Sequence, residues 1–341
     1  MNSWTLSDEI LAGQRLMVGF DGTGLDADLR YLIQTVHVGG IILFSKNIRS
    51  PEQIKELCAD AQHFAKSCRQ PPLFIAVDQE GGEVARLKAP FSIFPGNCAM
   101  KNEMDAIRFA EVTASELKDV GLNMNMAPVL DVIPVGMTGL MTKRSFGSDP
   151  QRVSKMGALI IDHFQKNRIM AVAKHFPGIG RAVADPHKEI SSLNMEPEEM
   201  DQTDLFPFRT AVSHSVAGVM LSHLLYRKAD PDWPASLSIA IAYDLLQSKM
   251  KYKGIVLTDD LDMGAIEKHF DLDLIVDRLI DAEIDIALIC HRSGKIERAF
   301  EGFLTRIGRS AEIRQKGISS AQKILNLKAG FLENGVGTAA S

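Results

Sequence analysis

Eight short apolar runs recur along the chain, rich in Val, Ile, Leu and Met and with little polar alternation. They cover residues 14–20, 38–44, 72–78, 123–130, 169–175, 217–223, 254–259 and 284–290. A strand that is covered on both faces has this pattern, because neither face needs polar side chains. The runs therefore predict eight buried parallel strands.

Segments with helical periodicity lie between most of these runs. They include residues 51–67, 104–119, 150–167, 197–214, 236–250 and 263–282. Ser50-Pro51, Asp149-Pro150 and Glu196-Pro197 mark helix starts, since proline is favoured in the first helical turn. Residues 295–328 have the pattern of one or two further amphipathic helices.

This alternation of strand and helix predicts an α/β fold, a single-domain (β/α)₈ TIM-type barrel with its active site at the carboxyl ends of the strands. We expect residues 1–330, including the C-terminal helices, to form the barrel and residues 331–341 to form a flexible tail. A doubly wound open sheet is the alternative, but the chain lacks a GxGxxG fingerprint.

Six of the apolar runs stop at ionisable residues, which the barrel would place on one face. These residues are Asp78, Asp131, Lys174-His175, His223, Asp259 and His291. One polar residue that caps a strand is unremarkable, but six on the same face indicate a functional surface. Asp131 could equally support the structure or contact a ligand, and His223 could be a supporting partner.

The sequence Lys174-His-Phe-Pro-Gly178 is followed by Asp185-Pro-His187, which is the most informative part of the chain. Residues i and i+2 of an extended segment lie on the same side, so Asp185 can orient His187 as an acid–base dyad. Asp259 ends a distant apolar run and could act opposite this dyad as a carboxylate nucleophile. This combination favours a retaining glycosidase with histidine in place of the usual acid carboxyl.

Composition excludes several other classes of protein. Among 341 residues the net charge is −5, with no basic block that would bind nucleic acid. We find no apolar run of transmembrane length and no N-terminal signal peptide. The cysteines are scattered, which predicts reduced thiols and a cytoplasmic location; they are Cys58, Cys68, Cys98 and Cys290. No metal-ligand spacing is present, so we expect neither a metal nor another cofactor. The low content of aromatic residues favours a small saccharide substrate.

A series of motifs in order resembles family 3 of the glycoside hydrolases, in particular the short bacterial β-N-acetylglucosaminidases. The main matches are Val77-Asp-Gln-Glu-Gly-Gly82, Ala127-Pro-Val-Leu-Asp131, Arg144-Ser-Phe-Gly147, Lys174-His-Phe-Pro-Gly178 and Thr258-Asp-Asp-Leu261. One motif would be weak, but their joint occurrence is specific.

The resemblance implies a role for each matching residue. Asp259 aligns with the nucleophile, and His187, paired with Asp185, aligns with the histidine acid/base of this branch. The positions that hold the terminal GlcNAc are matched by Asp78, Arg86, Arg144, Lys174 and His175. The substrate implied is a peptidoglycan fragment or a chitin oligomer, cleaved through a covalent glycosyl-enzyme.

The chain departs from the family pattern at three places. Ile179 replaces a usual histidine, Pro186 stands in the middle of the dyad motif, and residues 134–143 lack the usual Asn-Pro-rich sequence. Pro186 fixes one backbone dihedral and removes one donor, which bears on how the dyad is positioned. These changes affect substrate detail more than reaction class.

Three alternatives remain open at this point. A neutral histidine base tolerates an anionic acceptor, so the chain could be a phosphorylase of the same family. Lys174 could form a Schiff base in an aldolase, although the dyad and Asp259 would then have no role. The third alternative is a barrel that binds sugar without catalysis. The oligomeric state is also open.

Overall fold

The structure is a computed structural model that describes residues 6–182 and 191–333. Eight parallel strands close into a barrel in which each strand pairs with its neighbours in chain order, and the last pairs with the first. The strands are β1 Leu16–Val18, β2 Gly40–Leu43, β3 Phe74–Val77, β4 Met124–Asn125, β5 Met170–Phe176, β6 Gly218–Leu221, β7 Ile255–Asp260 and β8 Ile286–Ile289. The predicted (β/α)₈ barrel is confirmed.

Each strand overlaps its predicted apolar run; β5 and β7 each extend one residue beyond it, and β4 is much shorter than the run 123–130. Pro128 has no backbone N–H to donate to a ladder, so regular pairing ends early. Beyond it only an isolated bridge joins Val129 to Lys174 of β5. Register shifts in β5, between Ala173 and Phe176, and in β7, between Leu257 and Asp260, occur where these strands approach the same end of the barrel.

Helices surround the barrel. The α-helices are α1 Asp8–Gly13, α2 Ala27–Gln34, α3 Pro51–Ser67, α4 Glu103–Asp119, α5 Pro150–Lys166, α6 Pro197–Gln202, α7 Leu205–Ser213, α8 Gly264–Glu267, α9 Leu272–Asp281, α10 Lys295–Arg309 and α11 Ala311–Lys328. The π-helical segments are Ala240–Lys249 and Ala329–Glu333, and short 3₁₀ turns occupy Ser45–Asn47, Asn97–Ala99 and Ala235–Leu237.

The proline signals mark the helix starts correctly. Ser50 Oγ accepts the Gln53 N–H at the start of α3, and Asp149 Oδ1 accepts the Gln151 N–H at the start of α5. Two predicted helices are each divided in the structure: 197–214 becomes α6 and α7, and 263–282 becomes α8 and α9. The second division has a local cause, because Asp271 caps a new helix by accepting the Asp273 N–H.

The core has two layers. Side chains that point into the barrel form one buried cluster, which includes Met17, Phe74, Met124, Met170, Ile255 and Ile286. Side chains on the outer face of the strands pack against the helices in a second, larger cluster. The barrel is therefore a filled core, as expected for this architecture.

The C-terminal helices belong to the same body as the barrel. Lys328, at the end of α11, is buried and lies 4.8 Å from the ring centroid of Phe74, with its Nζ donating to Gln14 Oε1 and the Gly39 carbonyl. The predicted boundary at residue 330 falls within the helical turn Ala329–Glu333 and stays a prediction. Within the described residues, no helix has both the length and the apolar character needed to cross a membrane.

Candidate active site

A cavity of about 360 Å³ lies at the carboxyl ends of the barrel strands. Its floor is apolar and includes Ile42, Met220 and Leu288, while charged side chains form its wall. The charged and polar residues are Asp78, Glu83, Arg86, Arg144, Lys174, His175, Asp259 and Asp260. A concave site with an apolar floor and convergent polar groups is the usual form of a small-ligand site.

One wall of the cavity is an ion-pair network built on Lys174, at the end of β5. Its Nζ lies 2.7 Å from Asp78 Oδ1 and 2.7 Å from Glu80 Oε1. Arg144 donates to both oxygens of Glu80, from Nε at 2.8 Å and from Nη2 at 2.7 Å. Arg86 reaches Asp78 at 3.5 Å and completes the network.

Burial and charge oppose each other in this network. Burial alone would raise the pKa of Asp78 and Glu80, but Lys174 and the nearby arginines hold both pKa values below the ordinary range. Burial alone would lower the pKa of Lys174, but Asp78 and Glu80 raise it instead. All three groups are therefore charged at neutral pH, which is the state in which a buried network is stable.

His175 is held in place by Asp131. The Nδ1 of His175 lies 2.8 Å from Asp131 Oδ2, and Asp131 Oδ1 accepts the backbone N–H of Ile179 at 2.7 Å. Asp131 has no exposed surface, so of the two roles left open for it, the structure supports the structural one. The Nε2 of His175 is left to face Arg144, 3.5 Å away.

Asp259 stands at the end of β7 and lines the cavity. Burial alone would raise its pKa, but the neighbouring His175 and His223 and the N–H of Asp260 lower it. Asp259 Oδ1 accepts that N–H at 2.8 Å. The carboxylate is thus ionised and partly fixed in orientation.

Asp260, the next residue, also lines the cavity, but its carboxylate binds backbone N–H groups. Its Oδ1 accepts the N–H groups of Asp262 and Cys290, both at 3.0 Å. Burial, with repulsion from Asp262 and Asp259, raises the pKa of Asp260 to about 6. The Asp260 carboxylate therefore makes structural hydrogen bonds to the backbone.

Two other residues singled out in the sequence have supporting positions. His223 bonds to Ser236 Oγ at 2.7 Å and to the Asp260 carbonyl at 2.8 Å, which joins the ends of β6 and β7. His291 pairs with Asp262 at the surface, where Lys295 Nζ already lies 2.7 Å from the other Asp262 oxygen.

Six of the eight site residues predicted from the sequence lie on the wall of one cavity. They are Asp78, Arg86, Arg144, Lys174, His175 and Asp259. The other two, Asp185 and His187, lie outside the described residues. Sequence reasoning missed Glu80, although it lies in the quoted motif Val77-Asp-Gln-Glu-Gly-Gly82, because its partner Arg144 is distant in the sequence.

Comparison with known proteins agrees with this geometry. A model of the glycosyl hydrolase family 3 N-terminal domain matches residues 10–327. The chain belongs to glycosyl hydrolase family 3. It is therefore a glycoside hydrolase that acts on a carbohydrate.

Individual relatives cover most of the chain. A protein named beta-hexosaminidase from Pseudomonas aeruginosa PAO1 is 32% identical over 313 residues, which are 89% of this chain and 92% of the relative. The family 3 beta-N-acetylglucosaminidase structure from Paenibacillus sp. FPU-7 superimposes with a TM-score of 0.90 at 33% identity, covering 99% of this chain and 65% of its own. The beta-N-acetylhexosaminidase of Beutenbergia cavernae gives a TM-score of 0.87 at 25% identity, covering 95% of this chain and 99% of its own.

Proposed function

We propose that this glycoside hydrolase is a retaining exo-β-N-acetylglucosaminidase, which releases terminal β-linked GlcNAc from small saccharides. The observation that carries the proposal is Asp259, an ionised carboxylate at a barrel strand end that faces a cavity walled by Lys174 and Arg144. An ionised carboxylate is the form that attacks an anomeric carbon. The names of the relatives supply the sugar.

The sugar would be held by the charged wall of the cavity. Asp78 keeps about a sixth of its side chain exposed, at 16%, and can accept hydrogen bonds from hydroxyl groups. Arg86, Arg144 and Lys174 are donors to hydroxyl and acetamido oxygens, with Arg144 as a fixed planar fork and Lys174 as a point charge. Because side chains fill the barrel below, the cavity is closed at its floor, which suits binding of a terminal sugar.

The reaction would have two steps. In the first, Asp259 attacks C1 while His187 donates its proton to the glycosidic oxygen; the C1–O bond breaks and a covalent glycosyl-enzyme remains. In the second, neutral His187 takes a proton from water, the water oxygen bonds to C1, and Asp259 leaves with net retention. Asp185 would orient the imidazole and stabilise its cationic form, as in hydrolase triads. The parts given to Asp185 and His187 rest on their spacing in the sequence.

Two sources of terminal GlcNAc fit this site, peptidoglycan fragments and chitin oligomers. We propose peptidoglycan fragments as the substrate, in the recycling of cell wall within the cytoplasm. The cysteines of the described residues are free, which accords with a reducing compartment. Comparison of kcat/KM for GlcNAc on anhydro-muramic acid and for a chitin disaccharide would decide between the two sources.

Hydrolysis of a chromogenic β-GlcNAc glycoside, with and without inorganic phosphate, tests the proposed function. We expect hydrolysis without phosphate and a β-configured sugar as the first product, observed by proton NMR before mutarotation. A phosphate requirement with GlcNAc-1-phosphate as product would instead identify a phosphorylase. Sugar binding without turnover would indicate a binding protein and overturn the proposal.

A further inference from the structure

Glu80 is buried directly behind the charged wall of the cavity. Its side chain is 1% exposed, and its two oxygens contact Arg144 at 2.7 and 2.8 Å and Lys174 at 2.7 Å. It thus joins two cavity-lining side chains that come from different parts of the chain. Arginine and lysine have long, rotatable side chains, so a common buried partner fixes where their donor groups lie.

Glu80 also sets the charge of this wall. Its contacts make it one of two carboxylates, with Asp78, that face the three cations Arg86, Arg144 and Lys174. Asp78 is open to the cavity, whereas Glu80 is not available to a ligand. Among the contacts of these three cations that the described residues make in the wall, removal of the charge of Glu80 would leave the carboxylate of Asp78. Asp259 also lines the cavity, but the wall would attract anions more strongly than it does with Glu80 ionised.

The geometry points to Glu80 as a positioning residue that sets specificity: it aligns Arg144 and Lys174 for a neutral sugar and lowers the affinity of this wall for anions. This inference rests on the proposed function, because the neutral sugar is taken to be GlcNAc. Glu80 acts through the two cations and does not itself touch the sugar.

Two variants separate the effect of side-chain length at position 80 from the effect of its charge. Glu80→Gln keeps the shape of the side chain and removes its charge, whereas Glu80→Asp keeps the charge but is one methylene shorter. Glu297→Gln is the matched control, since Glu297 also binds an arginine through both oxygens, at Arg292, away from the cavity. Calorimetry gives the dissociation constant for GlcNAc, steady-state kinetics give kcat and KM, and inorganic phosphate is the anionic probe.

We expect both Glu80 variants to weaken GlcNAc binding and raise KM about tenfold or more, with a smaller change in kcat, because the sugar contacts exist before and during the reaction. Glu80→Gln alone should become inhibited by phosphate at concentrations that do not inhibit the wild type, Glu80→Asp or Glu297→Gln. A merely structural role would lower the melting temperature without this difference in phosphate inhibition.

The two hypotheses can fail separately. Wild-type protein that neither binds GlcNAc nor hydrolyses its glycosides would overturn the proposed function. If the wild type is active but the Glu80 variants bind GlcNAc as tightly as it does, only the role of Glu80 is overturned. The same holds if phosphate inhibits both variants equally. If Glu80→Gln does not fold, Glu80→Asp still tests the alignment role. That role is overturned if Glu80→Asp binds GlcNAc as tightly as the wild type.

Discussion

The carboxylate of Asp131 holds the imidazole of His175 from behind, with 2.8 Å between Oδ2 and Nδ1, and the second oxygen binds the backbone N–H of Ile179. One fully buried carboxylate therefore fixes a cavity-lining histidine together with the start of the following loop. Because Nδ1 is taken by Asp131, only Nε2 of His175 is available to a ligand. This arrangement is the same kind of support that a carboxylate gives to histidine in hydrolase triads.

Asp131→Asn should reduce kcat/KM about 10- to 100-fold, since a hydrogen bond to a charged group contributes about 1.5–3 kcal/mol. The amide can present its NH₂ to Nδ1 and so favour the wrong tautomer. Nitrogen-15 NMR of the His175 ring checks the tautomer, and kinetics check the effect. Asp162→Asn is the control, because Asp162 pairs with His214 at the surface; equal activity of the two variants would contradict this role for Asp131.

Asp259→Asn should abolish turnover while GlcNAc still binds. Loss of a covalent nucleophile costs on the order of 10³-fold or more, whereas the sugar contacts of Lys174 and Arg144 remain. A fluoro-glycosyl reagent followed by peptide mass spectrometry should find the label on Asp259. A label on Asp260 would show that the nucleophile has been placed one residue too early.

Asp260 should make the stability of the protein depend on pH. Its pKa rises from 3.8 to about 6 on folding, so the folded state favours the protonated carboxyl. The stabilisation is complete below the unfolded pKa and is lost as pH rises through about 6. The size of the effect is on the order of 3 kcal/mol.

Asp260→Asn is neutral at every pH and can keep the acceptor for the N–H groups of Asp262 and Cys290. We therefore expect it to be more stable than the wild type at pH 8 and to converge with it near pH 4. Chemical unfolding across this range measures the difference, with the exposed Asp232→Asn as control. A constant difference from pH 4 to pH 8 would exclude the titration of Asp260 as its cause.

The strands were predictable because each is buried on both faces, which leaves a continuous apolar run in the sequence. The residues that end those runs, such as Lys174 and Asp259, could be assigned to one face because barrel strands all point the same way. Glu80 could not be assigned, since nothing local shows that Arg144, 64 positions away, is its partner. The division of 263–282 follows the cap at Asp271, which a reading of the apolar periodicity alone does not include.

His187→Ala tests the acid half of the proposed dyad. An acid catalyst assists departure of a poor leaving group, and general acid catalysis contributes about 10²–10⁴-fold. The variant should therefore lose much of its kcat/KM on natural disaccharides and far less on aryl glycosides, whose phenolate leaves without a proton. Because kcat/KM reports the glycosylation step, the comparison is made on that constant.

Asp185→Asn should show the same pattern more weakly if Asp185 acts only through His187. An equal loss on both classes of substrate would remove His187 from the acid role and leave the proton donor to be sought elsewhere in the chain.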